Sequence, residues 1–238
     1  PRLVNSQITS RNQMFVGLST KIITYNWFAQ NVPSLKEEPY MKSMRDNQTG
    51  LTFELASVNF PNTSFEEISP TYATLTTKLL DRDDFGRVLD NSSFLKKKAE
   101  SLTAGLNDDL SRIRTIHKYV SENIFWNGDE DYTSSSSLRL ILNKEKGNSA
   151  DINMILIGML RCLNIKADPV ILCTRSNGTL NEYSAMLQQF NYLVANVTAG
   201  GKSYLIDATN PLRPFDLLPF DCLNGSGRQI SEFESKFV

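Results

Sequence analysis

Three polar side chains in the C-terminal half of the sequence could be brought together as a site for nucleophilic chemistry. Ser149 stands at the predicted start of a helix, and Tyr192 and Asp207 fall on two strands of a predicted hairpin. A serine hydroxyl attacks only when a general base removes its proton. Because the Tyr192 phenol is protonated at neutral pH, it donates hydrogen bonds and is a poor base. These residue types therefore favour hydrogen bonding over catalysis.

The helix that begins near Ser149 is predicted from an apolar pattern in residues 152–163. The apolar side chains recur at intervals of three and four, which is typical of a helix with a broad buried face: Ile152, Ile155, Leu156, Met159, Leu160 and Leu163. Gly147 permits a tight entry, Asn148 or Ser149 can cap the helix, and Asp151 falls in its first turn. An N-cap serine typically contributes about 1 kcal/mol, so capping is a structural role for Ser149.

The predicted hairpin places Tyr192 close to Asp207. Its strands are expected over 190–197 and 203–207, with Gly200 and Gly201 as the turn. Counting outward from this turn sets Asp207 opposite a residue that shares a face with Tyr192. The two side chains then become diagonal neighbours, about 7–8 Å apart between backbones and within side-chain reach. An earlier strand over 170–174 completes the predicted sheet.

Three short segments resemble the ordered motifs of the transglutaminase-like superfamily: Gly147-Asn148-Ser149-Ala150-Asp151, Phe190-Asn191-Tyr192 and Leu205-Ile206-Asp207-Ala208-Thr209. The resemblance covers roughly residues 107–227. It implies an α+β fold with a papain/transglutaminase-like core, in which a helix packs on an antiparallel sheet. It also implies that Ser149, Tyr192 and Asp207 occupy the catalytic triad positions. The family has Cys where this chain has Ser149 and His where it has Tyr192, so only Asp207 matches the triad.

The N-terminal part resembles the end of a β-rich domain of unknown function that precedes transglutaminase-like domains in Gram-negative bacterial surface or periplasmic proteins. The residues that carry this likeness are Trp27, Asn31-Val32-Pro33, Glu38-Pro39-Tyr40-Met41, Phe85-Gly86, Leu217-Leu218-Pro219 and Cys222-Leu223-Asn224-Gly225. We therefore expect a β-rich segment over 1–68, a transglutaminase-like domain over 69–238 and, by resemblance, a periplasmic or cell-surface location. Because the chain begins with Pro1, we expect a piece of a longer protein.

Coarser patterns predict the remaining elements. Alternating apolar residues predict strands around 23–27 and 51–55, separated by an extended connector over 31–40 that contains two prolines. Helices are predicted from Ser69, which can cap, with Pro70 at the first helical position, and from Asn91. A third helix is predicted from Asn107 with this apolar stripe: Leu110, Ile113, Ile116, Val120 and Ile124.

Other candidates for catalysis are weaker. The single histidine, His117, lies beside the apolar stripe of the third helix, so we expect a packed ring with one hydrogen bond. Lys144 and Lys146 stand in a charged turn, where their amines stay protonated. The acidic residues of the loop 127–137 lack the spacing of a calcium-binding loop, so we expect this loop to be solvated.

The spacing of the cysteines and the overall composition argue against several further classes of function. Cys162, Cys173 and Cys222 form no CxxC pattern, and zinc would need all three thiols to converge with the one histidine. We therefore predict no metal site and no cofactor. With 25 Lys and Arg against 26 Asp and Glu among 238 residues, the chain lacks the basic excess of nucleic-acid-binding proteins. The longest apolar stretch, 152–160, is too short to span a bilayer.

We therefore predict a catalytically inactive transglutaminase-like (cysteine-protease-like) domain of a bacterial cell-envelope protein. Two roles are left open: binding of a peptide, an amide or a glycan-linked partner in the remaining cleft, or a structural role with the cleft filled by the protein's own loops. The alternative is a weak serine-dependent peptidase or acyltransferase that uses Ser149, with Asp207 acting directly or through water. The sequence gives no oligomeric state.

Overall fold

The computed structural model describes residues 2–15, 17–36, 38, 41–48, 50, 53, 55, 57–60, 66–67 and 71–238. The chain divides into two compact units, 1–52 and 53–238. The predicted domain boundary at 68/69 lies outside the described residues, as do Ser69 and Pro70. Among the described residues, no helix has both the length and the apolar character that crossing a bilayer requires.

The first unit contains one long antiparallel hairpin, formed by β1 (Arg2–Phe15) and β2 (Leu18–Gln30), and a short helix α1 (Met44–Asn47). The strand predicted around residue 25 is confirmed, but its expected half burial is wrong: Ile23, Tyr25 and Trp27 are 46%, 49% and 40% exposed. A sheet of only two strands leaves both of its faces to solvent. The second predicted strand, at 51–55, falls largely outside the described residues.

The second unit holds six helices and the main sheet within the described residues. Its helices are α2 (Tyr72–Leu80), α3 (Gly86–Asp90), α4 (Lys96–Leu102), α5 (Asp109–Asn123), α6 (Leu138–Lys144) and α7 (Ser149–Cys162). A 3₁₀ turn at Asn91–Leu95 leads into α4. Thr71 caps α2, and Asp108 rather than Asn107 precedes α5 and caps it through the Ser111 amide, 2.8 Å away. An aspartate at this position also complements the helix dipole.

The main sheet has four antiparallel strands in the order β10-β7-β8-β9. They are β7 (Ala167–Leu172), β8 (Tyr192–Ala199), β9 (Lys202–Ile206) and β10 (Arg228–Gln229). Two pairs of two-residue strands in this unit lie outside it: β3 (Ser57–Val58) with β4 (Glu66–Glu67), and β5 (Phe125–Trp126) with β6 (Lys146–Gly147). The predicted hairpin register is confirmed, since Ala199 pairs with Lys202 across a turn in which Gly200 and Gly201 both have positive φ.

Helix α7 forms the centre of the hydrophobic core. Every residue from Ser149 to Leu160 is buried, and α7 contacts α5 on one side and strands β7 and β8 on the other. The predicted stripe of α5 is also buried from Ile113 to Ile124, whereas Leu110 is only partly covered. A helix that is apolar all round belongs in the core of a domain. This is the predicted α+β arrangement, with a helix packed on an antiparallel sheet.

Candidate functional site

The start of α7 is fixed by a reciprocal pair of hydrogen bonds. The Asp151 amide donates to Asn148 Oδ1 at 2.8 Å, and the Asn148 amide donates to Asp151 Oδ2 at 2.9 Å. This capping box satisfies two amides that the helix itself leaves free. Of the two predicted caps, Asn148 is therefore the one used, and Ser149 is the first helical residue. The side chain of Ser149 is left to other partners.

The Ser149 hydroxyl is buried and both of its roles in hydrogen bonding are taken. The residue is 0% exposed. Its Oγ donates to the Asp131 carbonyl at 2.8 Å and accepts from the Asp131 amide at 2.9 Å. The Ser149 amide donates to the Asp129 carbonyl at 3.2 Å. Because a general base must contact the hydroxyl proton, a hydroxyl that already donates to a backbone carbonyl is not primed for attack.

The loop that contacts Ser149, residues 127–137, is called the cover loop below. Asp151 holds it through one carboxylate: Oδ1 accepts from the Ser134 hydroxyl at 2.6 Å and the Ser135 amide at 2.9 Å, and Oδ2 accepts from the Ser135 hydroxyl at 2.6 Å. The Asn148 amide group donates to the Thr133 carbonyl at 3.0 Å. The expectation of a solvated loop is thus wrong for residues 133–135, because their polar groups pair with the helix start.

A second cluster ties the cover loop to the sheet. Glu130 Oε2 accepts from the Thr174 hydroxyl at 3.0 Å and from the Asn191 side-chain amide at 2.7 Å. The Thr174 amide in turn donates to Asn191 Oδ1 at 2.8 Å. Thr174 is fully buried, and Asn191 directly precedes Tyr192. The loop is therefore anchored on both sides of Ser149.

Tyr192 and Asp207 do meet, as the hairpin register predicts. The Tyr192 hydroxyl lies 3.1 Å from Asp207 Oδ1 and 3.2 Å from the Thr209 hydroxyl. Tyr192 is 2% exposed and packs with Leu172 and Cys222. Burial, and next the negative charge of Asp207, raise the pKa of the Tyr192 phenol far above its usual range. The phenol therefore stays protonated and acts as a donor.

Asp207 is the centre of a buried hydrogen-bond network. It is 0% exposed. One oxygen accepts from the Asn153 amide group at 2.9 Å as well as from Tyr192, and the other accepts from the Thr209 hydroxyl at 2.6 Å. Arg213, whose side chain is 20% exposed, donates to that second oxygen at 2.8 Å and neutralises the charge. A buried carboxylate is tolerated only when paired and hydrogen-bonded in this way.

His117 lies at the same network but does not contact a nucleophile. Its Nε2 lies 2.9 Å from the Asp207 carbonyl, and the ring is buried. Burial is the main cause that lowers the pKa of His117, against the raising effect of the contact with Asp207. The prediction of a packed ring with one hydrogen bond is confirmed. Within the described part of the chain, no hydrogen bond joins this ring to Ser149.

The predicted triad is therefore only partly assembled. Tyr192 and Asp207 are joined, whereas Ser149 bonds to the cover loop and forms no hydrogen bond to either of them in the described ranges. Asn153, one turn after Ser149 on α7, donates to Asp207 instead. Sequence reasoning did not find this role, although an asparagine four residues after Ser149 in an apolar helix face is a usable signal, because buried amides need partners.

The other residues considered for catalysis, the two lysines and the cysteines, are not placed as reactive groups in the described part of the chain. Lys144 and Lys146 are exposed, as predicted. Cys173 and Cys222 are buried, and Cys162 is partly buried. Burial, with the nearby Asp207 as the next cause, raises the pKa of the Cys222 thiol, so it stays protonated and is a weak nucleophile. Among the described residues, no group of three or more His, Cys, Asp or Glu side chains could hold a metal ion.

Comparison with known proteins agrees with this architecture. Residues 96–204 match the family model of the transglutaminase-like superfamily. Over this range the chain is similar to a transglutaminase-like domain. The matched range includes Ser149 and Tyr192, at the start of α7 and of β8, and ends just before Asp207. A comparison with curated proteins finds no match.

Solved structures that are similar to this chain include two bacterial proteins. A proposed protease from Parabacteroides distasonis aligns with a TM-score of 0.53 and 14% identity, over 85% of this chain and 39% of its own. A proposed cysteine protease from Cytophaga hutchinsonii aligns with a TM-score of 0.40 and 19% identity, over 56% and 42% of the two chains. The present chain thus spans about two fifths of these proteins, and the first likeness shows a shared fold.

Proposed function

We propose that this transglutaminase-like domain is catalytically inactive and serves as a structural module whose former cleft is closed by its own chain. The observation that carries the proposal is the Ser149 hydroxyl, which is 0% exposed and donates to the Asp131 carbonyl at 2.8 Å. Acyl transfer by serine needs an accessible hydroxyl and a base that contacts it. Ser149 has neither in the described part of the chain.

The identity of the other two triad residues supports the same conclusion. A cysteine at a helix start works because its thiolate forms near neutral pH beside an imidazole. Ser149 replaces that thiol with a far weaker acid, and the raised pKa of Tyr192 makes its phenoxide still less accessible than that of a free phenol. The Asp207 carboxylate is occupied by Tyr192 and Arg213, and within the described residues this carboxylate contacts no imidazole.

The closed cleft favours the structural role over peptide binding at the triad positions. Ser149, Tyr192 and Asp207 are each at most 2% exposed. The cover loop closes the Ser149 side, and Cys222 and Leu218 from the C-terminal segment pack against the cluster of Tyr192. A ligand there would have to displace parts of the protein's own chain. We place the domain in a bacterial cell-envelope protein on the resemblance of its N-terminal part.

The direct test is turnover. Native protein and Ser149→Ala are compared for hydrolysis of fluorogenic peptide amides and for incorporation of a labelled amine into a glutamine peptide. We expect both proteins to equal the buffer blank. Turnover by the native protein that disappears in Ser149→Ala would overturn the proposal and establish the serine-dependent peptidase or acyltransferase.

A second test separates a closed cleft from an open one. Ser149→Cys introduces a thiol at the buried position, and Ser137→Cys introduces one at an exposed position of the same cover loop. We expect iodoacetamide, followed by peptide mass mapping, to modify the first thiol far more slowly, because it reacts only when the structure opens. Equal rates would mean that the cleft is open and available to a ligand.

A further inference from the structure

A groove on the outer side of the cover loop has the features of a binding site that the triad region lacks. It lies between residues 83–94 and 134–139, has a volume of about 550 Å³ and is called the serine groove below. This volume is within the usual range of about 300–1,000 Å³ for small-molecule sites. Nine of its twelve lining residues have polar or charged side chains, and they include four consecutive serines, 134–137. A ligand that fits it must therefore form many hydrogen bonds.

Two arginines, Arg87 and Arg139, line the serine groove, together with the carboxylates of Asp83 and Asp84. Arg139 stacks on the Phe94 ring, with its guanidinium carbon 4.4 Å from the ring centre, and forms no ion pair among the described residues. Arg87 meets Asp83 at 3.2 Å, but these side chains are 58% and 89% exposed. An exposed pair of this kind contributes about 0–1 kcal/mol and is easily exchanged for another partner. The other groove carboxylate, Asp84, is paired with Arg82 through two hydrogen bonds.

Unused hydroxyl groups accompany the two guanidinium groups. The Ser134 hydroxyl forms hydrogen bonds with the Ser136 carbonyl and with Asp151, and the Ser135 hydroxyl forms one with Asp151. The hydroxyls of Ser136 and Ser137 form no hydrogen bond within the described residues, although both residues line the serine groove. Guanidinium forks recognise carboxylate and phosphate groups, and serine hydroxyls exchange hydrogen bonds with hydroxyls of a ligand.

We propose that the serine groove binds a small hydroxylated anion, a sugar acid or a sugar phosphate, through Arg87, Arg139 and the free hydroxyls of Ser136 and Ser137. The anionic group lies between the two guanidinium groups, and the sugar hydroxyls face the serines. The site is separate from the triad positions, so its occupancy does not depend on whether Ser149 reacts.

The test is calorimetric titration of the native protein with glucuronate, glucose 6-phosphate, glucose and inorganic phosphate. We expect saturable binding of glucuronate or glucose 6-phosphate. Tighter binding of glucuronate would identify a carboxylate as the preferred anionic group, and tighter binding of glucose 6-phosphate would identify a phosphate. Glucose and inorganic phosphate should each bind more weakly by about tenfold or more, since each supplies only half of the contacts. Equal binding of inorganic phosphate, or no saturable binding of either sugar anion, would overturn the proposal.

Matched arginine variants locate the site. Arg139→Met and Arg87→Met should each weaken binding of the sugar anion about tenfold, because a charge-assisted hydrogen bond is lost. Arg114→Met is the control, since Arg114 also stacks on an aromatic ring, Phe215, but lies outside the serine groove. Arg139→Lys keeps the charge without the fork and should give an intermediate loss. Equal affinities of Arg139→Met and Arg114→Met would contradict the assignment.

Discussion

Removing the guanidinium of Arg213 should show how strongly the stability of the domain depends on compensating the buried charge of Asp207. Arg213 Nη1 lies 2.8 Å from Asp207 Oδ2, and the Asp207 side chain is completely buried. Breaking a buried ion pair by deleting one partner typically costs about 3–5 kcal/mol, because the other charge stays buried without compensation. Arg213→Met keeps most of the side chain's apolar stem and removes only this compensation.

The structure indicates that Arg213→Met should cost less free energy of unfolding than this range of about 3–5 kcal/mol. Arg213 is 20% exposed, so water replaces part of the lost contact. Asp207 also keeps its bonds from Asn153, Tyr192 and Thr209. We therefore expect Arg213→Met to lower the free energy of unfolding by about 2–3 kcal/mol, which is roughly a 30- to 150-fold change in the unfolding equilibrium.

This change in stability can be measured for the second structural unit by urea denaturation, with tryptophan fluorescence as the signal. The chain has two tryptophans, and Trp27→Phe leaves Trp126 of the second unit as the reporter. With a slope of about 2–3 kcal/mol per molar urea, the midpoint should fall by about 1 M. Arg87→Met, which removes an exposed ion pair, should change stability by about 0.5 kcal/mol or less. A loss from Arg213→Met as small as that of this control would refute the network argument.

Three further predictions concern the core, the cover loop and the histidine. Gly158→Ala should destabilise the protein by about 1–3 kcal/mol in urea, because a Cβ would lie 2.8 Å from Ser92 Cβ and 2.9 Å from Leu95 Cδ1; unchanged stability would mean that these neighbours give way. Asp151→Asn should cost about 2–4 kcal/mol and speed amide hydrogen exchange of the cover loop, whose serines it holds; unchanged exchange would contradict that anchoring. His117 should titrate below 6.5 by NMR, since its pKa is lowered mainly by burial. Because the unfolded chain binds this proton first, the free energy of unfolding should fall as pH drops from 6.5 towards the folded pKa, and that part of the pH dependence should be absent in His117→Gln.

The sequence predicted the pairing of Tyr192 with Asp207 because local rules determine it. Two glycines with positive φ form a two-residue turn, and the strand period then fixes which side chains share a face. The helix that begins at Ser149 follows from its apolar spacing in the same way. These rules act over a few residues, so no tertiary information is needed.

The closure of the site could not be predicted by such rules. Ser149 and Asp131 are separated by 18 residues, and their two hydrogen bonds depend on how the cover loop folds back onto α7. The loop's acidic and serine-rich composition is equally typical of solvated segments. Arg213 has no periodic signal at all, since it lies in the irregular segment after β9. Its role follows only from the buried charge of Asp207.

The central claim is that Ser149 is not a nucleophile, and intact-mass measurement after treatment with a fluorophosphonate probe tests it most directly. Our account predicts no adduct on the native protein under conditions in which a control serine hydrolase is fully labelled. One equivalent of adduct, mapped to Ser149 and absent from Ser149→Ala, would contradict it.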